Sequence, residues 1–217
     1  MERQRILVGL AVLAALVILT AVAGRARSSG PFVRAVQVGK HPSSIAVSAA
    51  TGRVFVANGD SNTVSVLDAG SGLLLRTTTV GIHPGAIVTD ARGSCVVVAN
   101  RGGSVSVLDA RDGRLLRTMA VHQDAYGVID FVPQALAVDE ESGRVFVTGN
   151  GGRVGVLDHC TDRAARTADG LPPTASGGTI AVDSRTGYAF VVNNMDPGSG
   201  AARRPHALYW SARARKT

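Results

Sequence analysis

The chain repeats itself at a spacing near 42 residues, and few architectures accommodate such a repeat. Val38-Gly39-Lys40-His41-Pro42 recurs as Val80-Gly81-Ile82-His83-Pro84, 42 residues on. Gly52-Arg53-Val54-Phe55-Val56-Ala57-Asn58 recurs as Ser94-Cys95-Val96-Val97-Val98-Ala99-Asn100 and as Gly143-Arg144-Val145-Phe146-Val147-Thr148-Gly149. A fourth copy is Gly187-Tyr188-Ala189-Phe190-Val191-Val192-Asn193. Thr63-Val64-Ser65-Val66-Leu67-Asp68 recurs as Ser104-Val105-Ser106-Val107-Leu108-Asp109 and as Arg153-Val154-Gly155-Val156-Leu157-Asp158. Leu74-Leu75-Arg76-Thr77 returns as Leu115-Leu116-Arg117-Thr118. The third repeat is longer by seven residues, mostly within 122–133.

Each repeat reads as four strands. The first covers residues 44–47, with equivalents at 86–89, 135–138 and 179–182. The second is the Arg-Val-Phe-Val-Ala-Asn segment, apolar on consecutive positions as a strand covered on both faces must be. The third, residues 63–67, alternates polar and apolar, and the fourth covers 73–78. Thr51-Gly52, Ser142-Gly143 and Thr186-Gly187 form turns between strands one and two. Asp68-Ala69-Gly70-Ser71-Gly72 and its copy ending at Gly113 form turns between strands three and four. In such turns Asp bonds its own downstream backbone and Gly accepts positive φ. The expected fold class is all-β. We expect a β-propeller of four-stranded blades, about four repeat units in an incomplete ring, preceded by one N-terminal hydrophobic helix. The boundaries are 1–30 for the N-terminal segment, and 36–78, 79–118, 119–168 and 169–200 for the repeats within 31–200.

These repeats resemble the YVTN-type β-propeller repeat family, also called YncE-like. Its unit runs V-G-x-x-P-x-x-I-A-V, then T-G-x-x-[YF]-V-[TA]-N, then N-x-V-S-V-[IL]-D-x-x-T-G. The likeness covers residues 36–193 and is strongest in the first two repeats. It implies a periplasmic, secreted or surface protein of a family that commonly has seven blades, and it carries no catalytic set across. Related propellers include haem- and quinone-bearing dehydrogenases and a lyase, so a propeller enzyme is the first alternative.

Residues 6–23 are an uncharged, mostly apolar run of 18 residues between Arg3, Arg5 and Arg25, Arg27. The length suits an uncleaved membrane anchor. Ala21-Val22-Ala23 offers a small-x-small cleavage site, so a cleaved signal peptide stays open. Both readings carry residues 31 onward out of the cytoplasm. Cys95 and Cys160 are the two cysteines. Their spacing matches no zinc motif, and sequence leaves open whether they are bridged.

The net charge of +7 comes from the two ends, because 1–30 carries +3, 201–217 carries +5 and the rest is close to neutral. With aromatics at 4%, that distribution argues against a nucleic-acid groove. Residues 201–217 are Arg/Ala-rich, lack acids and hold the only Trp, Trp210. This break in composition reads as an aberrant basic tail of a truncated or frameshifted member, a natural basic tail being the other reading. A non-functional fragment is therefore a further alternative.

No catalytic constellation emerges. Gly-x-Ser-x-Gly is absent. Gly149-Asn150-Gly151-Gly152 lacks the third glycine and the helix of a dinucleotide fingerprint. Asn58-Gly59-Asp60-Ser61-Asn62 lacks the distal Glu of a calcium loop and reads as a turn. No cofactor and no metal are expected. His41 and His83 hold equivalent positions before the innermost strand, and His122 falls near the same place in the third repeat. The loops leading into strand one and those joining strands two and three should share one face, where the third repeat adds Tyr126 and Phe131. The candidate ligand face is therefore His41, His83, His122, Tyr126 and Phe131. The expected function is a non-enzymatic extracytoplasmic binding or scaffold module of unknown ligand. The membrane is met through residues 6–23, and open blade faces are available for self-association.

Overall fold

A computed structural model describes residues 35–90, 92–121, 132–149, 153–157, 166–169, 177–193 and 208–211. The chain divides into two compact parts, Met1–Ala35 and Val36–Thr217, and every strand lies in the second. Among the described residues no helix is long and apolar enough to cross a membrane. The helix expected at 6–23 lies outside the described residues.

The fold is all-β. The first sheet is β1 (Pro42–Ser48), β2 (Arg53–Asn58), β3 (Thr63–Asp68) and β4 (Leu74–Thr79). The second is β5 (Pro84–Thr89), β6 (Cys95–Asn100), β7 (Ser104–Asp109) and β8 (Leu115–Ala120). The third is β9 (Pro133–Val138), β10 (Val145–Gly149), β11 (Arg153–Leu157) and β12 (Arg166–Asp169). The fourth holds β13 (Gly177–Asp183), β14 (Tyr188–Asn193) and β15 (Leu208–Ser211). Strands follow one another in sequence order within each sheet, and all pairs are antiparallel. Each repeat is therefore one meander, and the first strands β1, β5, β9 and β13 run side by side along the inner edge.

The inner strands are longer than the sequence suggested, because each starts at a register shift. Pro42 pairs with Asn58 and Ser44 with Ala57, and the same irregularity separates Pro84 from Ala86 and Gly177 from Thr179. Proline has no N–H for the ladder, so it is tolerated at a strand start beside a bulge. The stretch 201–217 contains β15, in which Trp210 pairs with Phe190 as Val66 pairs with Phe55.

Consecutive apolar residues on the second strands are explained by packing on both faces. From the first sheet, Phe55, Ala57, Val64 and Val66 pack against Ile87, Val96, Val98 and Leu108 of the second. The other face of the second sheet, through Cys95, Val97, Val105 and Val107, packs against Val145, Val147 and Leu157 of the third. Phe146 and Val154 of the third then meet Ile180, Ala189 and Val191 of the fourth. Odd and even positions of one strand thus serve two different neighbours. Strand β6, flanked on both sides, is buried along its whole length.

Polar bonds stitch the sheets at both ends. The Ser43 hydroxyl donates to the Pro84 carbonyl at 2.8 Å, and the Thr78 hydroxyl to the Gly113 carbonyl at 2.7 Å. Gly113 has φ of 72° and lies on Val66 so closely that a Cβ there would stand 3.2 Å from the Val66 Cβ and overlap a Val66 methyl. Cys95 is disulfide-bonded, and the sequence holds one other cysteine, Cys160, outside the described residues.

Candidate functional site

The two ends of the sheets are built differently. At one end, short turns join first to second and third to fourth strands, and every described turn but the first is tied by an aspartate. Asp139 accepts from the Glu141 backbone N–H at 3.1 Å and the Ser142 hydroxyl at 2.6 Å. Asp183 accepts from the Thr186 hydroxyl at 2.8 Å, and Asp90 from the Ser94 hydroxyl at 2.7 Å. Asp68 accepts from the Ser71 backbone N–H and hydroxyl, and its second oxygen takes Arg53 at 2.8 Å. The Ser71 backbone and hydroxyl donors, with Arg53 beside them, hold Asp68 below the usual carboxylate range. Burial pushes Asp139 up, but the Ser142 hydroxyl and backbone donors outweigh it and leave the group low. Asp183 is lowered first by the Thr186 hydroxyl. Donors aimed at the ionised form favour it.

The first repeat breaks this rule. Ser48 stands where the later repeats have Asp90, Asp139 and Asp183. Ser48 is buried, and among the described residues both its hydroxyl and that of Thr51 lack a hydrogen-bond partner. A cavity of about 540 Å³ opens at this point, where the turns of three sheets converge at the inner edge. Ser48, Thr89 and Asp90 lie on its wall, with Arg92 and Glu140 contributing opposite charges. The repeat pattern contained one signal for this site, the serine at 48 in place of aspartate. The cavity itself has no sequence signature, since it arises where three separated turns meet.

At the other end, the lead-in loops fold over the loops between second and third strands, as the chain order predicts. The Gly59 N–H donates to the His41 carbonyl at 2.8 Å, and the Arg101 N–H to the His83 carbonyl at 2.9 Å. The Asn62 side-chain oxygen accepts the His83 N–H at 2.8 Å, linking the first sheet to the second. His41 and His83 both have positive φ, 52° and 50°, as does Asn62 at 55°. A residue before proline ordinarily prefers extended backbone. Positive φ at a non-glycine residue persists where the surroundings over-determine it, and such positions gather at binding sites. Both histidines are exposed, and His83 Nδ1 lies 3.9 Å from Asp60 Oδ1, an ion pair when the imidazole is protonated. The structure therefore places His41 and His83 equivalently on one end of the sheets. His122, Tyr126 and Phe131 lie outside the described residues. Among the described residues, no group of three His, Cys, Asp or Glu side chains is placed to hold a metal ion.

The sequence matches no family model and no curated protein. Solved structures match it by fold. The hydrazine synthase of Kuenenia stuttgartiensis is similar with a TM-score of 0.61 and 16% identity, over 77% of this chain and 47% of that one. Dihydro-heme d1 dehydrogenase NirN in complex with DHE is similar at 0.58 and 17%, over 75% of this chain and 34% of that one. U3-55K is similar at 0.60 and 15%, over 75% and 48%. These neighbours are β-propeller-type proteins, and the likeness concerns fold alone. The chain spans about half the length of two of them and a third of the other.

Proposed function

We propose that this chain is a non-enzymatic binding or scaffold module of the YncE-like propeller type, four repeats of an incomplete ring carried outside the cytoplasmic membrane. The partner meets the lead-in face, where His41 and His83 stand, with His122, Tyr126 and Phe131 of the long third-repeat loop as further contacts. The observation that carries this reading is the pair of exposed histidines held at positive φ in equivalent loops. Backbone strain repeated at one place in two repeats, and pinned each time by a neighbouring loop, favours presentation of a side chain. The aspartate-tied turns opposite favour a scaffold role for that end. The extracytoplasmic placement draws support from the apolar run 6–23 and from the disulfide at Cys95, since persistent disulfides belong to oxidising compartments.

A second reading is favoured by the cavity: a small polar ligand held at the turn end by Ser48, Thr89, Arg92 and Glu140. One experiment separates the two. A photo-crosslinking residue is placed at position 41, 83, 49 or 92 of the full chain in living cells. Adducts from 41 and 83 alone support the lead-in face. Adducts from 49 and 92 alone would overturn it in favour of the cavity.

A further inference from the structure

Among the described residues, the two terminal sheets leave uncovered the two halves of an interface that the molecule makes three times internally. Ile45, Ile87 and Ile180 occupy the same position of their repeats. Ile87 is 4% exposed and Ile180 8%, because each is covered by the preceding sheet, whereas Ile45 is 63% exposed. Val54 and Val56 share its face and are half-buried, while their equivalents Val96, Val98, Val145 and Val147 are buried. At the other end of the series, Val192 is 42% exposed at the position where Ala57, Ala99 and Thr148 are buried, and Phe190 is half-buried where Phe55 and Phe146 are buried. The rear face of the first sheet is thus the kind of surface that Phe55 and Ala57 cover elsewhere. The forward face of the fourth is the kind that covers it.

We infer that a second copy of this chain docks head to tail, the forward face of its fourth sheet on the rear face of the first. Complementarity is already demonstrated within the chain: Phe55 and Ala57 against Ile87, Val96 and Val98, and Phe146 against Ile180, Ala189 and Val191. The unpaired faces present Phe190 and Val192 to one side and Ile45, Val54 and Val56 to the other, with no charge at any of these positions. A head-to-tail contact of this kind closes into a ring when the rotation between sheets allows and otherwise extends as a filament. Two copies reciprocally joined form a closed pair with two identical junctions.

The test uses the full chain in detergent micelles, its mass measured by sedimentation at micromolar concentration. Ile45→Arg and Val192→Asp each place a charge in the junction at a site exposed in the single chain, so the β-sheet circular dichroism of both should match the parent. The parent is expected to be a dimer or larger. Each variant alone should associate at least about a hundredfold more weakly, the cost of desolvating an unpaired charge. An equal mixture of the two variants should recover a dimer, because one of its two junctions then keeps both native faces. A monomeric parent overturns the inference. So does a Val192→Asp chain that dimerises normally, which would mean that rear faces pair with each other.

Discussion

Gly81 lies against the side chain of Asn100, so that a Cβ on Gly81 would stand 2.5 Å from the Asn100 amide nitrogen. Asn100 is buried and donates to the Ser104 and Ser106 hydroxyls at 3.1 and 2.9 Å, pinning the loop between β6 and β7. The Ser106 hydroxyl in turn accepts from the Gly81 N–H at 3.2 Å. Gly39 and Asn58 repeat the arrangement, with a Cβ on Gly39 meeting the Asn58 Cγ at 2.7 Å. Gly81→Ala should therefore cost about 1–3 kcal/mol by overpacking. In an Asn100→Gly, Ser104→Ala background, which removes both side chains that the new Cβ would meet, the same change should cost clearly less. Urea unfolding of the four chains of this cycle measures the coupling, and equal costs in both backgrounds would refute it.

Ser48→Asp should stabilise the protein. An aspartate there can accept from the Thr51 hydroxyl, as Asp139 and Asp183 accept from Ser142 and Thr186. Replacing two unpartnered buried hydroxyls with one bonded cap should add about 1 kcal/mol and raise Tm by roughly 2–4 °C. Ser48→Ala, which loses no hydrogen bond, should change little. Thermal melts of both variants at neutral pH check this.

Acid should loosen the turn end. Asp68, Asp139 and Asp183 all sit below their ordinary range in the folded chain. In such a case the unfolded chain binds protons first, so stability rises with pH through this window. The contribution is complete above about pH 4–5, where unfolded aspartates are ionised, and is lost as pH falls through the lowered folded values. Asp139→Asn should flatten the fall in Tm measured between about pH 5 and pH 2. An unchanged slope would show that the cap at Asp139 is not linked to folding.

The purified protein, denatured without reductant, should show no free thiol, and reduction should release two, one each from Cys95 and Cys160. Cys95 sits in the packed junction between the second and third sheets. A bridge over a loop of this length stabilises by about 4 kcal/mol in the chain-entropy view. Reduction should accordingly lower Tm. Thiol titration that finds two free cysteines before reduction would contradict this and remove one support for an extracytoplasmic location.

Much of the architecture is legible because the repeats restate the same local chemistry. The second-strand motif marks β2, β6, β10 and β14, and the Asp and Gly landmarks mark the turns around them. The positive φ of His41 and His83 was not legible, since His-Pro reads as extended and it is the carbonyl bonds to Gly59 and Arg101, with the Asn62 oxygen on the His83 N–H, that hold the backbone otherwise. Ser48 was visible as a departure from aspartate, but its orphaned hydroxyl depends on packing beneath the turn. β15 escaped the pattern because Leu208 and Trp210, taking the register places of Val64 and Val66, alternate for only one step amid Arg and Ala.

The burial of β6 from end to end also sets an order of events when the protein breathes. Amide hydrogens of β6 can reach solvent only after two junctions have parted, whereas those of β2 need one and those of β4 none. In a linear array of this kind, opening proceeds inward from the outer members. Deuterium uptake should therefore be slowest in β6 and in β10, which is flanked on both sides and buried in the same way. A protease active under native conditions should nick the terminal sheets long before it reaches the middle, leaving a nested series of fragments that all retain Val96, Val97 and Val98 of β6 together with Val145, Phe146 and Val147 of β10.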